Sequence, residues 1–176
     1  SNAALTMGTG ATVGSLDMAT FNQTIASLTA QSNTNTLDNT ILIGAGRTLT
    51  VNGGVTVGTT PVDNTNNTNT RLVASGAGSM AINATTNNLL VGVPNATAAN
   101  NTASNATFDV SNLASFSFIA TTGQVRVGTD TGTGSTTGTN PGMFFNLSNT
   151  TNTITTPTLN IGDNIHNLTS TMRLGT

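Results

Sequence analysis

Cysteine, tryptophan, tyrosine, lysine and glutamate are all missing from this 176-residue chain. Without cysteine there is no disulfide framework and no thiolate metal site, although compartment is left open. Four arginines and six aspartates give a net charge of −2. With no lysine the chain cannot build the basic stripe that a phosphate backbone requires, so nucleic acid is excluded as a partner. No run of about 18 apolar residues occurs, which excludes a membrane-spanning helix. The N-terminus has neither the basic nor the apolar region of a signal peptide. Residues 1–3, Ser-Asn-Ala, read as the remnant of a cleaved tag. Residues 4–176 are then expected to be one segment of a longer repetitive protein, with any export signal outside it.

What fills the space is threonine, asparagine, glycine and serine, with 35% apolar residues and only 6% charged. Disorder normally needs low hydrophobicity together with high charge, and the charge is lacking here. Thr, Asn and Gly are poor helix formers, whereas Thr and Val suit a pleated surface. The composition therefore predicts an all-β fold.

A tetrad, apolar–x–apolar–Gly, recurs through the chain: LTMG (5–8), ILIG (41–44), VTVG (55–58), LLVG (89–92), VRVG (125–128), LNIG (159–162) and MRLG (172–175). Gly58, Gly92, Gly128 and Gly162 are separated by 34, 36 and 34 residues, and Gly8 and Gly44 by 36. Gly44 to Gly58 and Gly162 to Gly175 break the period at 14 and 13. One unit places Leu72, then Met80 and Ile82, then Leu89 and Val91 before its glycine. The next places Phe108 and Val110, then Phe116 and Phe118, then Val125 and Val127. Tighter versions start at Ile41 (then Leu49 and Val55) and at Phe145 (then Thr153 and Leu159).

Three short alternating strands per unit predict a right-handed parallel β-helix of about five three-faced coils, each of about 35 residues. Its core would hold Leu72, Met80, Ile82, Leu89, Val91, Phe108, Val110, Phe116, Phe118, Val125, Val127, Phe145, Leu159 and Ile161. Gly8, Gly44, Gly58, Gly92, Gly128, Gly162 and Gly175 would turn the corners with positive φ. The Thr/Gly/Asn stretches at 59–70, 93–106 and 129–142 would be polar loops at one corner, free of any burial requirement. The chain would begin in one third-strand tetrad and stop just after another, leaving uncapped ends that favour self-association.

A second recurrence is SLDMATF (15–21), TFDVSNL (107–113) and FFNLSNT (144–150). With SLDMATFNQTIASLT and the following TLTVNGGVTVG, it resembles the passenger regions of bacterial autotransporters and filamentous-haemagglutinin-like exported adhesins. The resemblance implies a right-handed helix, export to the cell surface or beyond, and a role as stalk, spacer or adhesin. The partners it implies are surface glycans or proteins of a host or neighbouring cell.

Candidate chemistry is sparse. Asp17 and Asp109 sit between inward-facing neighbours and should face solvent, as solubilising charges or as a carboxylate ladder for an ion or acid–base work. Asp63 and Asp130 lie in oxygen-rich stretches that offer weak Ca²⁺ candidates, but each brings a single carboxylate where hard cations want six or more oxygens. His166 lies near Asp163 and Ser170, too close in sequence for an evident triad. Arg47, Arg71, Arg126 and Arg173 read as surface charge, with Arg126 projecting from the third face. Nine N-x-[ST] sequons occur, at Asn22, Asn66, Asn83, Asn95, Asn100, Asn105, Asn146, Asn149 and Asn167, close to what the composition yields by chance. A flat threonine lattice for ice or sugar would use Thr50, Thr56 and Thr155, but equivalent outward slots hold Leu90, Arg126 and Asn160. Asparagines near corners are expected to satisfy backbone groups there. No catalytic residue, cofactor or metal is assigned. The function expected is a non-catalytic extracellular spacer, stalk or adhesin segment. A carbohydrate-binding, polysaccharide-cleaving or ice-binding β-helix is the alternative.

Overall fold

A computed structural model describes residues 2–32, 36–58, 69–92, 105–128, 142–162 and 169–174. Seventeen strands follow one another: β1 (Leu5–Gly10), β2 (Ser15–Met18), β3 (Gln23–Ile25), β4 (Leu28–Ser32), β5 (Asn39–Ile43), β6 (Thr48–Val51), β7 (Val55–Val57), β8 (Asn69–Ser75), β9 (Ser79–Thr85), β10 (Leu89–Val91), β11 (Asn105–Asn112), β12 (Ser115–Ala120), β13 (Gln124–Val127), β14 (Met143–Leu147), β15 (Thr151–Thr155), β16 (Thr158–Ile161) and β17 (Ser170–Leu174). Every third strand pairs, always in parallel. The first sheet runs β2-β5-β8-β11-β14-β17, the second β3-β6-β9-β12-β15 and the third β1-β4-β7-β10-β13-β16. The chain is thus a parallel β-helix of five complete coils, with one further third-sheet strand before them and one further first-sheet strand after.

Period-2 alternation builds this wall. In β8 and β9 buried and less buried residues alternate without a break, so one side of each strand faces a shared interior. Leu72, Met80, Ile82, Leu89, Val91, Phe108, Val110, Phe116, Phe118, Val125, Val127 and Phe145 are all buried in one core. Phe108 and Phe145 stack with ring centroids 5.2 Å apart, and Phe116 meets both edge-on at 6.1 and 5.4 Å. Such offset and edge-on pairs contribute roughly 0.5–1.5 kcal/mol each beyond area burial.

Coil length is not uniform. In the third sheet Leu5 pairs with Leu28 and Leu28 with Val55, giving coils of 23 and 27 residues; Val55, Leu89, Val125 and Leu159 then step by 34, 36 and 34. The small coil β2–β4 leaves no mark in the tetrad spacing, because β4 ends in Ala30-Gln31-Ser32 with no glycine after its apolar pair.

Several expectations need correction. The ILIG and MRLG tetrads lie in the first sheet, in β5 and β17, not the third. That is why their glycines broke the period. Gly8, Gly58, Gly92, Gly128 and Gly162 do have positive φ, but Gly44 does not. What demands glycine at Gly44 is space: a Cβ there would stand 2.1 Å from the Ala19 carbonyl oxygen. Gly175 lies outside the described residues.

Leu159 and Ile161 are 49% and 47% exposed rather than core. They pair with Val125 and Val127 on one side, but β16 is the outermost strand of its sheet and no described strand covers the other. In β15 the inward slots are Asn152 and Ile154, beside Phe116 and Phe118, so Thr153 faces outward. The expected loops are shorter than drawn, since Asn69, Thr70, Asn105 and Ala106 already belong to strands. Residues 59–68, 93–104 and 129–141 lie outside the described residues.

Candidate surface groove on the first sheet

Where a coil turns, the ladder breaks and backbone groups must find other partners. The asparagines and hydroxyls do this work between coils. Asn39, fully buried, accepts the Gly14 N–H at 2.9 Å and donates to the Ser32 hydroxyl at 2.8 Å and the Arg71 carbonyl at 3.0 Å. Asn22, Asn88 and Asn105 accept the N–H groups of Thr48, Gln124 and Gly142 from the following coil. Carbonyls of the preceding coil accept the hydroxyls of Thr121, Ser148, Thr156 and Thr150, on Thr85, Leu113, Gly123 and Ala114 respectively. Asn105 is only 6% exposed, so its sequon is not available to a glycan.

Among the described residues, chemically varied side chains gather on the outer face of the first sheet. A groove of about 370 Å³ is lined by Asn69, Arg71, Thr107, Asp109, Phe144, Asn146 and Arg173, among others. The ladder explains the gathering: Arg71 pairs with Thr107 and Thr107 with Phe144, while Asp109 pairs with Asn146 and Asn146 with Arg173. All occupy outward slots of successive strands. Asn146 donates to one Asp109 carboxylate oxygen at 3.0 Å and accepts from the Arg173 guanidinium at 2.7 Å. Ser111 donates to the other oxygen through its N–H at 2.9 Å and its hydroxyl at 2.6 Å. Arg173 also lies 5.6 Å over the Phe144 ring, and Arg71 is ion-paired with Asp38 at 2.7 Å.

Partial burial pushes the Asp109 carboxyl up. The hydrogen bonds from Ser111 and Asn146, with Arg71 nearby, outweigh burial and hold it below the ordinary aspartate value. It is therefore ionised at neutral pH and serves as an acceptor, not as a proton donor.

The recurrence that paired Asp109 with Asn146 also aligned Thr107 with Phe144, and so touched both rows of this groove; Arg71 lies outside that recurrence and joins the second row through its pairing with Thr107. Asp17 belongs elsewhere. It pairs with Leu42, and Leu42 with Ser75, whereas Asp109 pairs with Val73. The two aspartates therefore stand on different rows, and no carboxylate ladder joins them. Asp17 is exposed and accepts the Ala19 N–H at 2.9 Å.

Arg126 corrects the surface-charge reading, being 5% exposed in an outward slot between Leu90 and Asn160. Thr56 shares that row with Thr6 and Thr29, but Leu90 and Arg126 interrupt it. Thr50 is followed by Ala81, and Thr155 stands beside Ile119. Asp63, Asp130, Asp163 and His166 lie outside the described residues. Among the described residues, no three His, Cys, Asp or Glu side chains come together, and no helix is long and apolar enough to cross a membrane.

Comparison with protein-family models, curated proteins and solved structures yields no match to this chain.

Proposed function

We propose that this chain is a structural β-helix segment, a spacer or adhesive stalk working outside the cell or on its surface, and that it performs no catalysis. One observation carries the reading: among the described residues, asparagine amides and hydroxyls at the corners bond coil to coil, from Asn22 on Thr48 to Thr156 on Gly123. Side chains used in this way hold a column together and are not free to turn over a substrate. The neutral polar coat also supplies solubility with few charges.

A second reading rests on the groove. The Phe144 ring, the Arg173 guanidinium, the Asn146 amide and the Asp109 carboxylate together offer a stacking face and hydrogen-bonding groups of both kinds, which is chemistry that suits a saccharide.

A glycan-array screen, a polysaccharide-cleavage assay and single-molecule pulling along the chain decide between them. A rod that unzips coil by coil, with neither saturable glycan binding nor cleavage, supports the spacer. Saturable binding abolished in Arg173→Ala and Phe144→Ala supports the saccharide contact. Cleavage of any polysaccharide overturns the non-catalytic reading.

A further inference from the structure

The ladder gives the first-sheet groove a centre. Thr107, on β11, has a smaller side chain than any of the four residues that ring it. Arg71 is its partner in the preceding coil and Phe144 its partner in the following one. Asn105 and Asp109 flank it on its own strand, two residues away on either side, and line the same groove. A small side chain among larger ones leaves a pit over Thr107. β11 has a paired strand on each side, and the pit opens on the face of the sheet, so a further coil at either end of the column would not cover it.

The walls of the pit differ in chemistry. Asn105 is 6% exposed; its Oδ1 accepts the Gly142 N–H at 3.2 Å, and among the described residues no acceptor takes its Nδ2. Asp109 accepts two bonds from Ser111 on one carboxylate oxygen and one from Asn146 on the other, out of roughly four that a carboxylate can take. An amide donor and a carboxylate acceptor thus stand on opposite sides of the Thr107 hydroxyl, with the Phe144 ring alongside. The charges around them are balanced. Arg71 is ion-paired with Asp38, and Arg173 reaches Asp109 through the Asn146 amide.

We infer that this pit takes a single neutral sugar unit, seated over Thr107. The inference rests on the saccharide reading given above and adds the size, charge and position of the ligand. Size follows from the volume, since about 370 Å³ is at the small end of ligand sites. Charge follows from the balance: each guanidinium already has its carboxylate, so an acidic ligand meets no unopposed cation. One apolar ring among hydrogen-bonding groups of both kinds matches a pyranose, which has an apolar C–H face and a rim of hydroxyls. One sugar hydroxyl donates to the Asp109 carboxylate, and another accepts from the Asn105 amide. A peptide fits less well, because it binds a sheet by adding a strand to an edge, and the main chain of β11 is paired on both sides.

Chemical-shift titration of the ¹⁵N-labelled chain tests this, with glucose, galactose, mannose and N-acetylglucosamine, their linear di- and tetrasaccharides, and glucuronate and sialic acid as probes. At least one neutral monosaccharide should give saturable shifts centred on Thr107. Its tetrasaccharide should bind within about threefold of it, because one unit fills the pit. Raising the salt from about 0.05 to 0.5 M should leave the affinity unchanged. Thr107→Phe plugs the pit with a residue that favours strands, and should abolish the shifts. Thr107→Val removes only the hydroxyl and should weaken binding about three- to tenfold, the worth of one neutral hydrogen bond. Both variants should keep the far-UV circular dichroism spectrum and melting temperature, and Thr29→Val, on the third sheet, should bind as the wild type does.

Three results overturn the inference and leave the saccharide reading standing: affinity that climbs more than about tenfold from one unit to four, a salt-sensitive preference for glucuronate or sialic acid, or saturable binding that survives Thr107→Phe. No shift with any of these saccharides overturns both.

Discussion

Replacing Phe108 by alanine tests whether the aromatic cluster holds neighbouring coils together. Phe108 is fully buried on the fourth complete coil, paired along the ladder with Leu72 on one side and Phe145 on the other. Its ring lies within 8° of parallel to Phe145 and at 80° to Phe116. Emptying such a site costs about 3–5 kcal/mol, a figure that includes the lost ring pairs and the cavity left behind. Phe108→Leu keeps most of the volume and loses the ring geometry, so its cost should be about 1–2 kcal/mol. Whole domains are stable by only about 5–15 kcal/mol, and in a repeat stack each coil touches only its neighbours. The loss should therefore fall on both interfaces of that coil, and β11–β17 should open before β1–β7. With no tryptophan or tyrosine to report, urea unfolding is followed by far-UV circular dichroism and located by amide hydrogen exchange. A loss under about 1 kcal/mol in the alanine variant would refute the role of the cluster. Protection lost uniformly from β1 to β17 would refute the nearest-neighbour picture.

Three further outcomes follow from single residues. Thr85 holds φ at 52°, a conformation costly for a β-branched residue, and its side chain is exposed; Thr85→Asn should raise stability by about 1 kcal/mol, read as a higher melting temperature. Asn39→Ala removes the three hydrogen bonds of a buried amide and should cost about 1–3 kcal/mol in urea titration, and Asn39→Asp should be at least as harmful at neutral pH because a carboxylate cannot donate to the Arg71 carbonyl. The lowered Asp109 value means that its contribution is complete above the unfolded aspartate value of about 3.9 and is lost as pH falls through the folded value. Melting temperature should therefore drop at acid pH, and Asp109→Asn should shrink that drop; an unchanged acid profile would show that the Ser111–Asp109–Asn146 bonds are not formed in solution.

The first sheet shows how far residue spacing can be trusted. SLDM, TFDV and FFNL are all first-sheet strands, as their common pattern implied, yet Asp17 and Asp109 stand on different rows. The cause is the β5–β8 pairing, where Asn39 rather than Ile41 lies beside Leu72 and shifts the register by two residues. A two-residue shift keeps every side chain on its own face, so alternation alone cannot detect it. The groove was legible only in part for the same reason: Asp109, Phe144 and Asn146 lie in copies of one motif, while Arg71 joins them through pairing between coils.

By itself the sequence determined the all-β alternation, the inward faces of the central coils and the parallel repeat, because period-2 alternation and a near-constant glycine spacing are local properties carried along one coil after another. It also determined that asparagines near the corners would satisfy backbone groups there, whereas the hydroxyls of Thr121, Ser148, Thr150 and Thr156 were found in that role only in the structure. Only the tertiary structure decided which sheet each tetrad joined, that Arg126 is buried, and that Leu159 and Ile161 stand open on an outer strand. These depend on what stacks above and below a residue, and that neighbour lies 22 to 37 positions away, beyond the reach of any local pattern.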